Sequence, residues 1–172
     1  EHQMFRETVR HFIATEIEPH VDQWVEDHAI PRSFWTKAAE AGLLGVDVPE
    51  AYGGPGGDFL YRLVIAEEIG YSPAGAAMAP SLIADGTSEI LYRSANEEQR
   101  QKYLPAMVRG EMLFGLAITE PDSGSDVSSI RTTARREGDE YVITGAKTYI
   151  SQASIADAFM VVARTSDAPG SK

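Results

Sequence analysis

The sequence predicts an α+β multidomain chain: an all-α N-terminal helical domain over residues 1–111, then the first part of a β-barrel or β-sheet domain over 112–172. Three observations carry this. Apolar residues recur at helical spacing up to about residue 110. After Gly110 the pattern changes to short apolar runs and alternation. Caps and turn formers fall where those patterns start and stop.

Phe5, Val9, Phe12, Ile13, Ile17, Val21, Trp24 and Val25 lie at helical spacing across 2–27. Pro19, with no N–H for the helix ladder, is expected to kink or split that run. Pro31 opens a second helix over 32–41, and Gly42 stops it. Tyr52-Gly-Gly-Pro-Gly-Gly57 is a turn-rich loop, and Asp58 can cap the helix that follows. A further helix is expected across 76–94. Asn96 with Gln99 three residues on matches a capping box for a helix from 97, which Pro105 should disturb and Gly110 end. Beyond it, Met112 to Ile118 is a short apolar run. Residues 132–136 and 140–144 alternate and are joined by Gly138-Asp139 as a hairpin, and Ala158 to Ala163 has a buried-strand composition. So few strands leave bare edges, so more are expected beyond Lys172, and both ends of the chain read as cut.

Composition narrows the function classes. With 43% hydrophobic and 24% charged residues, neither a disordered nor a fibrous chain is indicated. The net charge of -11 repels phosphate backbones, which argues against nucleic-acid binding. It also means that any bound phosphate is held by local donors rather than by the overall field. Without cysteine there is no disulfide, thiolate nucleophile or cysteine metal site. His2, His11, His20 and His28 fit no zinc spacing and read as surface helix positions. No apolar run approaches a membrane span, and the N-terminus lacks the order of a signal peptide.

Chemistry concentrates in Leu116-Ala-Ile-Thr-Glu-Pro-Asp-Ser-Gly-Ser-Asp126, a strand running out into a loop of Gly, Ser and Asp. Exposed N–H groups around a Gly turn, with Ser and Thr hydroxyls, can bind a diphosphate without a lysine. By composition alone a capped turn is the simpler account. The order of residues decides otherwise. This segment resembles the acyl-CoA dehydrogenase signature, in which Thr-Glu-Pro is followed by a small residue, Gly-Ser-Asp and further small residues. The resemblance continues through Ile130-Arg-Thr-Thr, Gly138-Asp-Glu-Tyr-Val-Ile-Thr-Gly145 and Lys147-Thr-Tyr-Ile-Ser151. Upstream it includes Gly42-Leu-Leu-Gly-Val46, Tyr52-Gly-Gly54 and Glu97-Glu-Gln-Arg-Gln-Lys-Tyr-Leu-Pro105. It covers essentially the whole chain. The long-chain-like branch is the nearest, through Glu1-His2, Phe5-Arg6 and Gly56-Gly57-Asp58.

The resemblance implies an FAD-dependent enzyme of fatty-acid β-oxidation that desaturates an acyl-CoA thioester between its α and β carbons. The stretch Leu116, Ala117, Ile118, Thr119, Glu120 would line one side of the flavin, with Thr119 at the pyrimidine end of its ring. Gly124 and Ser125 would lie at the diphosphate, Ser125 also near the acyl-CoA substrate. In the second segment the Tyr149 ring would cover a flavin face, beside Ile150, and Ser151 would approach the ring near N5. The family's base is a Glu in a C-terminal helical domain, so no catalytic residue is assigned here, and residues 1–172 alone are expected to be inactive. An electron-transfer flavoprotein as acceptor, a homo-oligomer, and a cytoplasmic or (in a eukaryote) mitochondrial-matrix location are implied too. Acyl-CoA oxidases and flavin monooxygenases of the same fold are the enzymatic alternatives; a non-catalytic flavin-fold subunit is the other.

One departure stands out. After Ser151 the family continues Asn-Gly, whereas this chain has Gln152-Ala153. Gly tolerates a left-handed backbone and Ala does not, so the turn there is expected to differ. Asp85-Gly-Thr-Ser-Glu-Ile90 resembles a cofactor stretch of the family's C-terminal region and reads as coincidence, with Glu89 a poor base. Glu120, Asp122 and Asp126 lack a calcium-loop spacing and read as solvent-facing carboxylates rather than metal ligands. Walker, dinucleotide-fingerprint and nucleophile-elbow motifs do not occur.

Overall fold

The computed structural model describes residues 1–75 and 86–166. The chain forms two units, Glu1–Leu113 and Phe114–Lys172, the first helical and the second built of strands.

In the helical unit, α1 (His2–Phe12) buries Val9 and Phe12, and Ile13 and Ile17 continue the same apolar stripe. From Ile13 to Ile17 the helix widens to a π turn, closed by Glu18 N–H to the Ile13 carbonyl at 2.9 Å. Pro19 accounts for it: its ring would meet the carbonyl four residues back in an α turn, and the chain loosens before it. The helix resumes as α2 (Val21–Glu26), so the expected break at Pro19 is present. Helix α3 (Ser33–Glu40) buries Phe34, Trp35 and Ala38. A connection holding Leu43, Leu44, Val46 and Val48 in the core leads through a short turn, Glu50–Tyr52, to α4 (Phe59–Tyr71). Asp58 caps α4 as expected, its carboxylate accepting from Leu60 N–H at 2.9 Å.

Helix α4 packs on α1, and an ion cluster seals the contact. Glu68, only 5% exposed, accepts from Arg10 and from Arg6, and Arg6 also reaches Glu67 at 2.5 Å. Hydrogen bonding from Arg10, then from Arg6, holds the Glu68 carboxyl below the usual carboxylate range despite its burial.

Helix α5 (Gly86–Ser94) is the described part of the helix expected over 76–94; residues 76–85 lie outside the described residues. Its Glu89 bonds Arg93 at 2.8 Å. Helix α6 (Glu97–Val108) opens on the full capping box, Asn96 to Gln99 N–H at 2.9 Å and Gln99 back to Asn96 N–H at 3.0 Å. Pro105 does not disturb α6, contrary to expectation. The carbonyl it leaves without a helical donor belongs to Gln101, an exposed residue, and only one turn of helix remains after it. Gly110 ends the unit's last turn. Its φ is +67°, and a Cβ there would lie 2.4 Å from the Trp35 carbonyl, so glycine is required by conformation and by space.

The second unit contains two ladders. Strand β1 (Phe114–Ala117) runs parallel to β4 (Ala158–Val161), with Phe114 opposite Ala158 and Ala117 opposite Val161. Strands β2 (Thr133–Glu137) and β3 (Glu140–Thr144) form the expected hairpin around Gly138-Asp139, with Gly138 at φ +63°. A parallel bridge between Thr133 and Arg164 ties the ladders together, through Arg164 N–H to Thr132 O and Ala134 N–H to Arg164 O, both 2.8 Å.

Candidate functional site

A parallel pair needs a long crossover, and here it runs from Ile118 to Asp157. All the sequence-predicted site residues beyond β1 sit in it. Leu116 and Ala117 are in β1 itself, Leu116 half-buried and Ala117 buried beneath the loop they launch.

That loop is tied shut at its base. Glu120 and Ser123 exchange backbone bonds at 2.8 and 3.1 Å, and the buried Ser123 hydroxyl donates to the Asp126 carbonyl at 2.8 Å. Asp126 in turn caps Ser128 N–H at 3.1 Å. Gly124 and Ser125 project from the tip, exposed, and their N–H groups meet no acceptor among the described residues. Gly124 has neither a positive φ nor any atom within 4 Å of the position its Cβ would take. Nothing among the described residues requires glycine there. A ligand brought close to the backbone would.

Glu120 corrects the expectation of solvent-facing carboxylates. Its side chain is 6% exposed, and its oxygens accept from Arg131 N–H at 2.6 Å, Thr132 N–H at 2.8 Å and Lys147 Nζ at 2.9 Å. Burial alone would push the carboxyl up. The Thr132 side chain, the Arg131 N–H, Lys147 and the Thr132 N–H together outweigh burial and hold it at about 2. The Thr132 Oγ1 makes no hydrogen bond of good geometry, so the two N–H groups and Lys147 are the well-formed contacts. Held by three donors from two other stretches of chain, this carboxylate is a brace in its own fold. The expectation holds for the two aspartates: Asp122 is exposed, 3.5 Å from Arg131, and Asp126 is exposed while serving as a cap.

The second segment lies against the first. Lys147 Nζ donates to the Ile118 carbonyl at 2.7 Å, and Thr148 N–H donates to the Thr119 carbonyl at 2.9 Å. Ile150 comes beside Gly115, where an added Cβ would be 3.2 Å from Ile150 Cγ2 and 2.8 Å from the Phe159 ring. The two predicted segments therefore meet at Thr119 and Thr148. Ser151 is exposed in the turn that follows.

Between them stands Tyr149. Its φ is +55°, and its side chain is 91% exposed. A bulky residue in the left-handed region is strained, and such strain persists only where the surroundings impose it. Among the described residues almost nothing covers the ring, so an aromatic face is open to solvent on a constrained backbone.

The Gln152-Ala153 departure has a different consequence from the one expected. The left-handed residue of the turn is Gln152, with φ +63°, and Ala153 is not at positive φ. The missing glycine costs no backbone strain at position 153. Lys147 and the N–H groups of Arg131 and Thr132 are the residues that reading the sequence did not single out. The only signal was Lys147, a lysine opening a motif in an acidic chain.

Comparison with known proteins agrees with this layout. Residues 1–111 match the family model for the N-terminal domain of acyl-CoA dehydrogenases, and residues 115–172 match the model for their middle domain. The chain is 37% identical to the mouse (Mus musculus) mitochondrial long-chain specific acyl-CoA dehydrogenase, over 96% of this chain and 38% of that protein. The crystal structure of an acyl-CoA dehydrogenase from Geobacillus kaustophilus superposes with a TM-score of 0.88 at 40% identity, covering 96% of this chain and 43% of that one. A glutaryl-CoA dehydrogenase from Mycobacterium smegmatis, solved in complex with FADH2, superposes with a TM-score of 0.86 at 27% identity, covering 96% and 43%. The chain thus spans less than half the length of these relatives.

Proposed function

This chain belongs to the acyl-CoA dehydrogenase family, and from that premise we propose that its second unit forms one wall of an FAD site in an enzyme that desaturates acyl-CoA thioesters between the α and β carbons. The observation that carries the reading is Tyr149, exposed to 91% on a left-handed backbone and next to Thr148, which bonds Thr119 at the start of the loop bearing Gly124 and Ser125. An exposed aromatic face suits an isoalloxazine ring, and free N–H groups at an open glycine suit a diphosphate in a chain of net charge -11.

The residues that would hold the cofactor are Leu116 to Glu120 as backbone wall, Thr119 at the ring, Gly124 and Ser125 at the diphosphate, and Tyr149, Ile150 and Ser151 at the ring face. Ser125 would also meet the acyl-CoA. When bound, FAD supplies the two-electron redox chemistry, and the protein supplies placement and hydrogen bonds. No described carboxylate in this region is offered as the proton-abstracting base. Glu120 is buried, held by three donors of its own fold and acidic at about 2, whereas a base needs a reachable carboxylate that takes up a proton readily. An electron-transfer flavoprotein as acceptor, a homo-oligomeric assembly and a cytoplasmic location complete the proposal, and these rest on the family.

The test is an FAD titration of the intact protein, then anaerobic addition of a long-chain acyl-CoA while the flavin band is followed. Tight FAD binding and substrate-dependent bleaching are expected. A protein that takes up no FAD would overturn the reading. One that holds FAD and bleaches with no acyl-CoA would confine the reading to the cofactor.

A further inference from the structure

We infer that the Lys147 and Glu120 side chains are positioning groups for the flavin wall: their ion pair sets the Thr119 and Tyr149 segments against each other, and neither side chain itself touches cofactor or substrate. The inference rests on the FAD reading above.

The pair is enclosed, with the Lys147 and Glu120 side chains 10% and 6% exposed. It sits where three stretches of chain meet. Glu120 follows Thr119 directly and grips the entry to β2 through Arg131 and Thr132 N–H. Lys147 precedes Tyr149 by two residues and grips the end of β1 through the Ile118 carbonyl. The Thr148 N–H to Thr119 carbonyl bond then follows in register. Two successive carbonyls, Ile118 and Thr119, thus receive two successive residues, Lys147 and Thr148. The next residue is Tyr149.

Stability alone is a weak reason to keep such a pair. Removing an ammonium and a carboxylate from water costs much of what their attraction returns, and an apolar pair of similar volume often serves as well. A buried pair with directional bonds does something an apolar pair cannot: it admits one register. Tyr149 needs that, because a strained left-handed residue relaxes unless its neighbours are fixed. On its C-terminal side the Gln152 turn fixes it, through Ala156 N–H to Gln152 O at 2.9 Å and Ala153 N–H to Ile150 O at 3.2 Å. On its N-terminal side the fixing group is the Lys147–Glu120 pair.

Lys147→Met removes the ammonium and keeps the stem, Lys147→Arg restores a cation, and Glu120→Gln neutralises the other partner. Each is made in the intact protein, and FAD affinity, the visible circular dichroism of the bound flavin and the melting temperature are compared with wild type. Lys147→Met is expected to weaken FAD binding by roughly tenfold or more and to alter the flavin dichroism. Lys147→Arg should recover part of both, with far-UV dichroism native throughout. Amide exchange at Thr148 should accelerate in Lys147→Met without cofactor. A Lys147→Met protein that melts lower but keeps wild-type FAD affinity and flavin dichroism would show a merely structural bridge and overturn the inference. Should Lys147→Met not fold, Lys147→Arg and Glu120→Gln are judged by the same two readouts. Wild-type protein that binds no FAD would sink the flavin reading, and this inference with it.

Discussion

Arg10 and Glu68 meet as a fork, Arg10 Nε to one carboxylate oxygen at 2.6 Å and Nη2 to the other at 3.1 Å, joining α1 to α4 across 58 residues. Because Glu68 is buried and serves two arginines, its loss takes away Arg10's partner and leaves Arg6 only Glu67. Glu68→Ala is expected to destabilise the helical unit by about 2–3 kcal/mol, below the full cost of orphaning a buried charge because the Arg10 side chain is itself 57% exposed. Urea unfolding followed by the helical signal measures it. A change within experimental error would show that the fork is incidental.

Glu120 makes the stability of the second unit depend on acid. Its folded-state value of about 2 lies below the ordinary 4.5, so the folded form binds its proton less readily than the unfolded form. The stabilisation is fully present above the ordinary value, declines as pH falls below it, and is gone once pH passes about 2. Glu68 is shifted in the same direction and adds to the same acid limb in the helical unit. Urea midpoints measured from neutral pH downward should fall in wild type and fall less steeply in Glu120→Gln. Identical slopes would contradict the assignment.

Gly124 and Gly145 should respond oppositely to alanine. At Gly124 there is room and no positive φ, so Gly124→Ala keeps the fold and loses about tenfold in FAD affinity, ~1.4 kcal/mol. At Gly145 the φ is +156° and a Cβ would stand 2.3 Å from Thr132 Oγ1, so Gly145→Ala costs about 2 kcal/mol or more of stability. Melting temperature and FAD titration of the two variants check both halves. A Gly124→Ala protein with native FAD affinity would place the diphosphate elsewhere.

Tyr149→Gly should separate stability from binding. Glycine adopts the left-handed backbone freely and an exposed ring forfeits little packing, so the unliganded protein is expected to gain about 0.5–1 kcal/mol. FAD affinity should fall at the same time, and Tyr149→Phe should keep most of it, since the ring face is what matters. A stabilised Tyr149→Gly variant that still binds FAD as wild type would remove the ring from the site.

Features written in neighbouring residues could be read directly. The Asn96–Gln99 capping box, the Asp58 cap, the break at Pro19 and the Gly138-Asp139 hairpin each depend on groups a few positions apart. Glu120 looked like a loop carboxylate because its partners lie at Arg131, Thr132 and Lys147, and no periodicity links them. Pro105 failed as a helix breaker because only packing reveals that Gln101, whose carbonyl it strands, is an exposed residue. The strained residue after Ser151 proved to be Gln152 rather than Ala153 for a similar reason: a turn assigns its left-handed position by how its ends are held. Tyr149 was reached through the family motif, and its left-handed backbone was not foreseeable from residue type, since tyrosine seldom adopts one.

The parallel pairing of β1 with β4 bears on how the protein comes into being. Phe114 finds Ala158 only after some forty intervening residues have been gathered in, a distant closure that is slow to form compared with the β2–β3 hairpin. During synthesis the hairpin can fold as soon as it emerges, and Glu120 can already grip the entry to β2, but the Ile118 and Thr119 carbonyls lack their donors until Lys147 and Thr148 follow. The two halves of the candidate FAD wall therefore mature together and late. A molecule that binds only the closed form will pull that last closure to completion, so the supply of cofactor in the cell should govern how much of the newly made protein survives.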